Sequence, residues 1–354
     1  MADQPRKKRL VRAGAALGAV AGMVGALGVP AASAAPHASS AFKVAYMVPG
    51  NLGDLGFFDS GQKGITWAHQ RLGAVVKTVQ GTTDTSQWTP DLKAVSGQGY
   101  NVVVTGSSQV AQDLQAVAKQ FPQQHYIMFD DNVPAPNVAS IVYLQNDGAF
   151  LAGVLSALVT TQSKHFPLAK GSDTVGIVGG MNIPVIRDFV VGFVKGAHAV
   201  NPKIKVLTSY VGSFTDPQTG YNQAVEMYNQ GADVIFAAAG GSGLGVLKAS
   251  AKVGRYSIGV DSNQNGLYPK NILASDLKNV DVSVLDLLKM AKAGTLKYNK
   301  QYVFGLSNNG VQLLLNNSLV PKFISVDLAR YASQVASGKI AVPCVQPYCL
   351  SATK

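Results

Sequence analysis

Glutamate is almost missing from this chain: Glu226 is the one example in 354 residues, and only 14% of the residues are charged. A glutamate-based acid/base pair is therefore excluded. The shortage suits an acidic exterior, where glutamates titrate near pH ~4.3 and stop contributing charge, and it suits a biased genome composition equally. Five histidines, His37, His69, His125, His165 and His198, are scattered without metal-ligand spacing, so no metal and no cofactor are expected. Two cysteines, Cys344 and Cys349, both lie in the tail, where a close pair reads as a small disulfide loop pinning the C-terminus. A net charge of +11 comes with no Lys/Arg run in the body of the chain, and hence with no footprint for nucleic acid.

What is present begins with an address. Arg6, Lys7, Lys8, Arg9 and Arg12 precede an apolar stretch over 13–29, and Pro30-Ala31-Ala32-Ser33-Ala34 follows with small residues. That order reads as a secretory signal peptide over 1–34. Seventeen residues rich in Ala and Gly fall short of the ~20 that a span needs. A linker over 35–41 and a mature start near Ala35 are expected, outside the cytoplasm. No cysteine follows the signal, so the lipid-modified cysteine of a bacterial lipoprotein is missing.

The body repeats itself. Lys43–Val48 is answered by Thr174–Gly179 131 residues later, Phe57 by Phe189 and Gln98–Val103 by Gln230–Ile235 at 132, and Asp130 by Asp261 at 131. Two copies of one domain with a cleft between them are expected. Each half alternates Val/Ile-rich runs with helical segments, the pattern of parallel βαβ units and an α/β fold. Strands are expected over 43–48, 74–79, 102–105, 126–129 and 140–143, then over 174–178, 204–210, 234–238, 257–260 and 272–274. The first lobe is assigned 42–145 with about 275–310. The second takes 146–274 with about 311–349, and 350–354 forms a tail.

Ligands of open parallel sheets lie at the carboxyl ends of strands. The residues there include Asn51, Asp54, Ser107, Asp130, Met181, Gly240 and Asp261. Asp130 and Asp261 can accept charge-assisted hydrogen bonds from sugar hydroxyls or ring N–H groups, or instead cap the next helix. Phe57 and Phe189 can sandwich a planar base, or serve as core. Trp88 is a further aromatic candidate. Gly240-Gly241-Ser242-Gly243-Leu244-Gly245 lets a ligand approach backbone but has neither Rossmann nor P-loop spacing. Lys278 either reaches the cleft to balance Asp261 or stays exposed. No catalytic set stands out.

The most specific segments are Val178–Ile186 with Phe189, Tyr210–Phe214 with Asp216-Pro217, Gln230–Phe236 running into Gly240–Gly245, Gly259-Val260-Asp261, and Lys278 with Val280-Asp281. On these the chain resembles, over about 42–330, the basic membrane protein family, the purine nucleoside receptor type of substrate-binding protein that feeds ABC importers. The resemblance implies a type I periplasmic-binding fold, two Rossmann-like lobes joined by a hinge, in a monomer that is not an enzyme. It implies a nucleoside-like ligand, an ABC permease as partner, and Phe57, Asp130, Phe189, Asp261 and Lys278 as contacts. One departure stands out: purine-binding members carry an Asp directly after the first strand, where this chain reads Val48-Pro49-Gly50-Asn51. Asn51 or Asp54 is left to replace it, or another ring or furanose compound is the ligand. An exported nucleoside hydrolase would need an Asp cluster suited to calcium in the first turn, which is lacking; a surface sensor is the remaining alternative.

Overall fold

A computed structural model describes residues 41–350; the expected signal peptide, nearly all of the linker and the last four residues of the tail lie outside the described residues. Twelve strands form two six-stranded sheets. The first holds β1 (Lys43–Val48), β2 (Val75–Gln80), β3 (Val102–Gly106), β4 (Tyr126–Phe129), β5 (Val138–Tyr143) and β11 (Lys300–Phe304), in the order β2-β1-β3-β4-β5-β11. The second holds β6 (Thr174–Gly179), β7 (Lys205–Tyr210), β8 (Val234–Ala238), β9 (Tyr256–Asp261), β10 (Ile272–Lys278) and β12 (Val311–Leu315), in the order β7-β6-β8-β9-β10-β12. The two orders are the same once the repeat is applied. Central strands such as β3 and β8 are buried throughout, and β8 reads as an unbroken apolar run, as parallel strands covered on both faces tend to. The edge strands β2 and β7 are only half-buried.

Two differences from the sequence reading share one cause. β11 and β12 lie beyond the repeated unit and had no partner segment to reveal them. β12 pairs antiparallel to β10, so the second sheet is not wholly parallel, and that ladder extends β10 to Lys278, paired with Val311. The chain therefore leaves the second sheet after Lys278.

Helices are exchanged between the lobes. α1 (Phe57–Leu72) and α8 (Val280–Lys292) cover one face of the first sheet, and α2 (Trp88–Ser96) and α3 (Ala111–Gln120) the other. α4 (Gln145–Thr161) and α5 (Pro184–Val200), with α9 (Lys322–Ala336), cover one face of the second sheet; α6 (Pro217–Asn229) and α7 (Gly243–Val253) cover the other. Thus α4 leaves the first sheet to pack on the second, and α8 does the reverse. Among the described residues no helix is long and apolar enough to cross a membrane.

Gly99 and Gly231, which recur ahead of each third strand, have φ of 71° and 102°, the left-handed region that favours glycine. The α4–α5 seam uses glycine for closeness instead. A methyl at Gly153 would fall on the Phe193 carbonyl, and one at Gly196 on the Phe150 carbonyl. Gly153→Ala or Gly196→Ala is expected to destabilise the protein by about 1–3 kcal/mol in urea unfolding, although alanine is the better helix former. Gly97→Ala, whose added methyl meets nothing nearer than 3.8 Å, should leave the midpoint almost unchanged; equal midpoints for all three would contradict a backbone-tight seam.

Candidate functional site

The carboxyl ends of both sheets face a cavity of about 440 Å³. All eleven ligand-site residues named from the sequence line it. Its loops are built unequally. Between β1 and α1 the chain spends residues 49–56, whereas between β6 and α5 it spends only 180–183. The longer loop is fixed by two carboxylates. Asp54 accepts from the backbone N–H groups of Gly56, Phe58 and Asp59 at 3.0, 2.9 and 3.1 Å, and Asp59 accepts from Gly53 and Leu55 at 2.8 and 3.0 Å. Asp54 thus serves the first turn of α1, using its acceptors on orphan donors there. Asn51 is exposed on the cavity wall.

At the floor lies an ion pair. Lys278 Nζ, at the end of β10, donates to Asp130 Oδ1, just past β4, at 2.6 Å. The two residues are only 3% and 5% exposed. The pair joins the lobes. The same ammonium lies 5.4, 5.5 and 5.0 Å from the ring centroids of Phe57, Tyr143 and Phe189, so aromatic faces replace the water it has lost. Each phenylalanine is backed by its own lobe: Phe57 by Phe58 and Phe129, both at 5.2 Å, and Phe189 by Phe236 at 6.0 Å. Phe57 opens α1, while Phe189 sits inside α5, because α5 begins earlier relative to the repeat.

Asp130 and Asp261 share a backbone state, with φ of 74° and 64°. A non-glycine residue held there is a local strain that the surroundings must fix. Asp261 is 8% exposed, and among the described residues its carboxylate accepts no hydrogen bond. Burial pushes its carboxyl up to about 7, against the pull of Lys278 and with the help of Asp54 and Asp130. Burial also raises Asp130, and Lys278 pulls it partway back. Beneath them Asp276, raised well above the usual range by burial, leaves Oδ2 without a partner. Asp188, raised to about 7 by burial, accepts from Val345 N and Gln145 Nε2, both at 2.7 Å.

The remaining candidates are placed with their own partners. Trp88 is buried and donates its indole N–H to the Thr82 carbonyl at 3.1 Å. Ser107 accepts from Gln109 N at 3.3 Å, and Gln109 Nε2 reaches Met181 Sδ in the other lobe at 3.4 Å. Ser262 Oγ donates to the Gly56 carbonyl at 2.9 Å, and Gln264 Nε2 to that of Leu55 at 3.1 Å, so the lobes touch directly. Gly240 has a φ of 54° that suits its residue type. Sequence reasoning passed over Thr83, Thr85, Gln109, Phe214 and Thr215, which also line the cavity. Most follow the second strand of a lobe, β2 or β7, where the same carboxyl-end rule finds them.

A family model described as ABC transporter substrate-binding protein PnrA-like matches residues 41–345. The chain is 29% identical to the ABC transporter nucleoside-binding protein BmpA of Lactococcus lactis, over 95% of this chain and 99% of that one. It is 28% identical to basic membrane protein A of Borreliella afzelii, over 85% and 91%. Among solved structures, an ABC transporter solute-binding protein from Aeropyrum pernix superposes with a TM-score of 0.75 at 25% identity, covering 85% of this chain and 94% of that one.

Two outcomes follow from the buried charges. Lys278→Met strands Asp130 and should cost about 3–5 kcal/mol of stability in denaturant titration, most of it recovered in the Asp130→Asn/Lys278→Met double variant. Raised carboxyls favour the protonated folded form, so their contribution is complete below pH ~4 and is lost as pH rises toward about 7 for Asp188 and Asp261. Asp84 and Asp216, held low by hydrogen bonds, act only below that window. The melting temperature should be higher at pH 5 than at pH 8, with a smaller difference in Asp261→Asn; the opposite order would contradict the burial assignment.

Proposed function

The chain belongs to the PnrA-like family of ABC transporter substrate-binding proteins, and from that membership we propose that it captures a nucleoside-like molecule, a purine nucleoside first of all. The observation that carries the proposal is the grouping of Phe57 and Phe189 around the Lys278–Asp130 pair, with the Asp261 carboxyl beside it free of hydrogen bonds. Each part has a task. The two rings bracket the base, and stacking contributes about 1–3 kcal/mol per base. Asp130, Asp261 and Lys278 bind the sugar hydroxyls through charge-assisted hydrogen bonds. Ser107, Gly240, Met181 and Trp88 complete the wall, and Asn51 meets the base edge from the long loop.

Charge selects the ligand class as well. Among the described residues Lys278 is the one cation that lines the cavity, and Asp130 already pairs it, so a phosphate finds no free positive charge and a nucleoside is preferred to a nucleotide. Hinge closure of the two lobes buries the ligand, and the closed form is what the permease in the membrane receives. The protein works outside the cytoplasm as a monomer, exported by its first 34 residues, and without catalysis. A second reading rests on Pro49-Gly50, which stand where a base-reading Asp is expected: a furanose or other small ring compound then fills the same site.

Calorimetry with guanosine, inosine and adenosine should give binding heat with at least one and none with guanosine monophosphate, and no free base should appear in chromatography of the mixtures. Phe57→Ala and Phe189→Ala should each weaken binding about 5- to 100-fold. No heat from any of the three nucleosides, with a folded protein, ends the nucleoside reading.

A further inference from the structure

Beyond α9 the chain runs as coil, yet it is anchored at several points beside the cleft. The Pro343 carbonyl accepts from Asn146 Nδ2 at 3.1 Å, at the start of α4. Val345 N donates to Asp188 Oδ1 at 2.7 Å, one residue before Phe189. Tyr348, 2% exposed, packs its ring into the second lobe's core and donates its hydroxyl to the Asp130 carbonyl of the first lobe at 3.3 Å. A disulfide between Cys344 and Cys349, with Cα atoms 5.0 Å apart, closes this short loop around Tyr348. Inside it, Tyr348 N donates to the Val345 carbonyl at 2.8 Å.

The place that Tyr348 touches matters. Asp130 stands at a φ of 74°, and its own N–H donates to the Ile141 carbonyl at 2.8 Å. Tyr348 fixes the carbonyl on the other side of the same residue. An aspartate in the left-handed region is retained only when its surroundings over-determine it. Burial keeps the tyrosine hydroxyl protonated, with Asp130 and Asp131 adding to the effect, so it is a permanent donor.

We propose that the C-terminal loop is a working part of the ligand clamp: Tyr348 is a positioning residue that holds Asp130 in its binding conformation, and the Cys344–Cys349 bond keeps Tyr348 in place. The loop thereby straps the lobes together at the site, and ligand retention depends on the disulfide. This role rests on the cleft being the ligand site and on nothing about which ligand fills it. A dithiol reductant loosens the strap: the Sγ–Sγ bond breaks, two thiols form with the two electrons and two protons of the dithiol, and the dithiol closes to its own disulfide.

Three samples of the full chain test this: Tyr348→Phe, which keeps the ring and removes the hydroxyl, Cys344→Ser/Cys349→Ser, and the unaltered protein with and without dithiol. Hydrogen exchange at the amides of 130–132 reads the positioning without ligand, and guanosine titration reads retention. Losing one hydrogen bond should speed exchange there about five- to tenfold in both variants and in the reduced protein, with amides of β7 unchanged and guanosine bound correspondingly more weakly. The dithiol should have no effect on the double serine variant. Unchanged exchange at 130–132 in Tyr348→Phe and in the reduced protein overturns the proposal. Faster exchange there with no guanosine heat from any sample upholds the strap and removes the nucleoside reading instead. If the serine variant fails to fold, reduction of the folded unaltered protein decides the matter.

Discussion

One ammonium holds the centre of this molecule together. Lys278 is the last residue of β10, donates to Asp130 across the cleft and lies against rings from both lobes. Among the described residues its charge is the only positive one in the cavity wall, while the carboxyls of Asp130, Asp188, Asp261 and Asp276 are all buried nearby. Desolvation of this many carboxyls cannot be offset by one cation, so some of them take up protons instead of finding partners. Asp261 is the one that stays both unbonded and in the cavity wall. A carboxyl raised to about 7 there can donate as well as accept, which widens the set of hydroxyl arrangements it can meet.

Much of this was legible in the sequence because duplication supplies its own control. A residue type that recurs at 131 or 132 positions is either structural in both halves or functional in both, and Phe57 with Phe189 and Asp130 with Asp261 proved to line one cavity. The carboxyl-end rule placed the loops. What stayed hidden had no periodicity and no copy. β11 and β12 follow the second copy, so no comparison within the chain could reveal them, while in the tail only the Cys344–Cys349 loop was legible, from its close cysteines. Tyr348 lies in coil, where only tertiary contacts give a side chain its role. Nor does sequence show that Asp54 spends its oxygens on the first turn of α1, since a capping carboxylate and a ligand carboxylate are the same residue until hydrogen bonds are drawn.

The two lobes are alike in topology and unlike at the site. The first carries the long loop over 49–56 and takes the tyrosine hydroxyl on its Asp130; the second carries the short 180–183 turn. The asymmetry lies in the loops, while the paired rings and carboxyls come from both lobes. Equal strand orders give a rigid frame, and unequal loops give the frame a direction.

The helix exchange has a consequence for how the chain is made. Synthesis delivers residues from the N-terminus, yet the first sheet lacks α8 over one face and β11 at its edge until residue 304 is available. Up to that point the apolar side of β1, β3 and β4 has only α1 to cover it. Contacts this far apart in sequence form slowly, because the loop between them must close before they give any return. Neither lobe is therefore completed by one contiguous segment, and the first sheet waits for its last helix and edge strand until most of the chain has been synthesised.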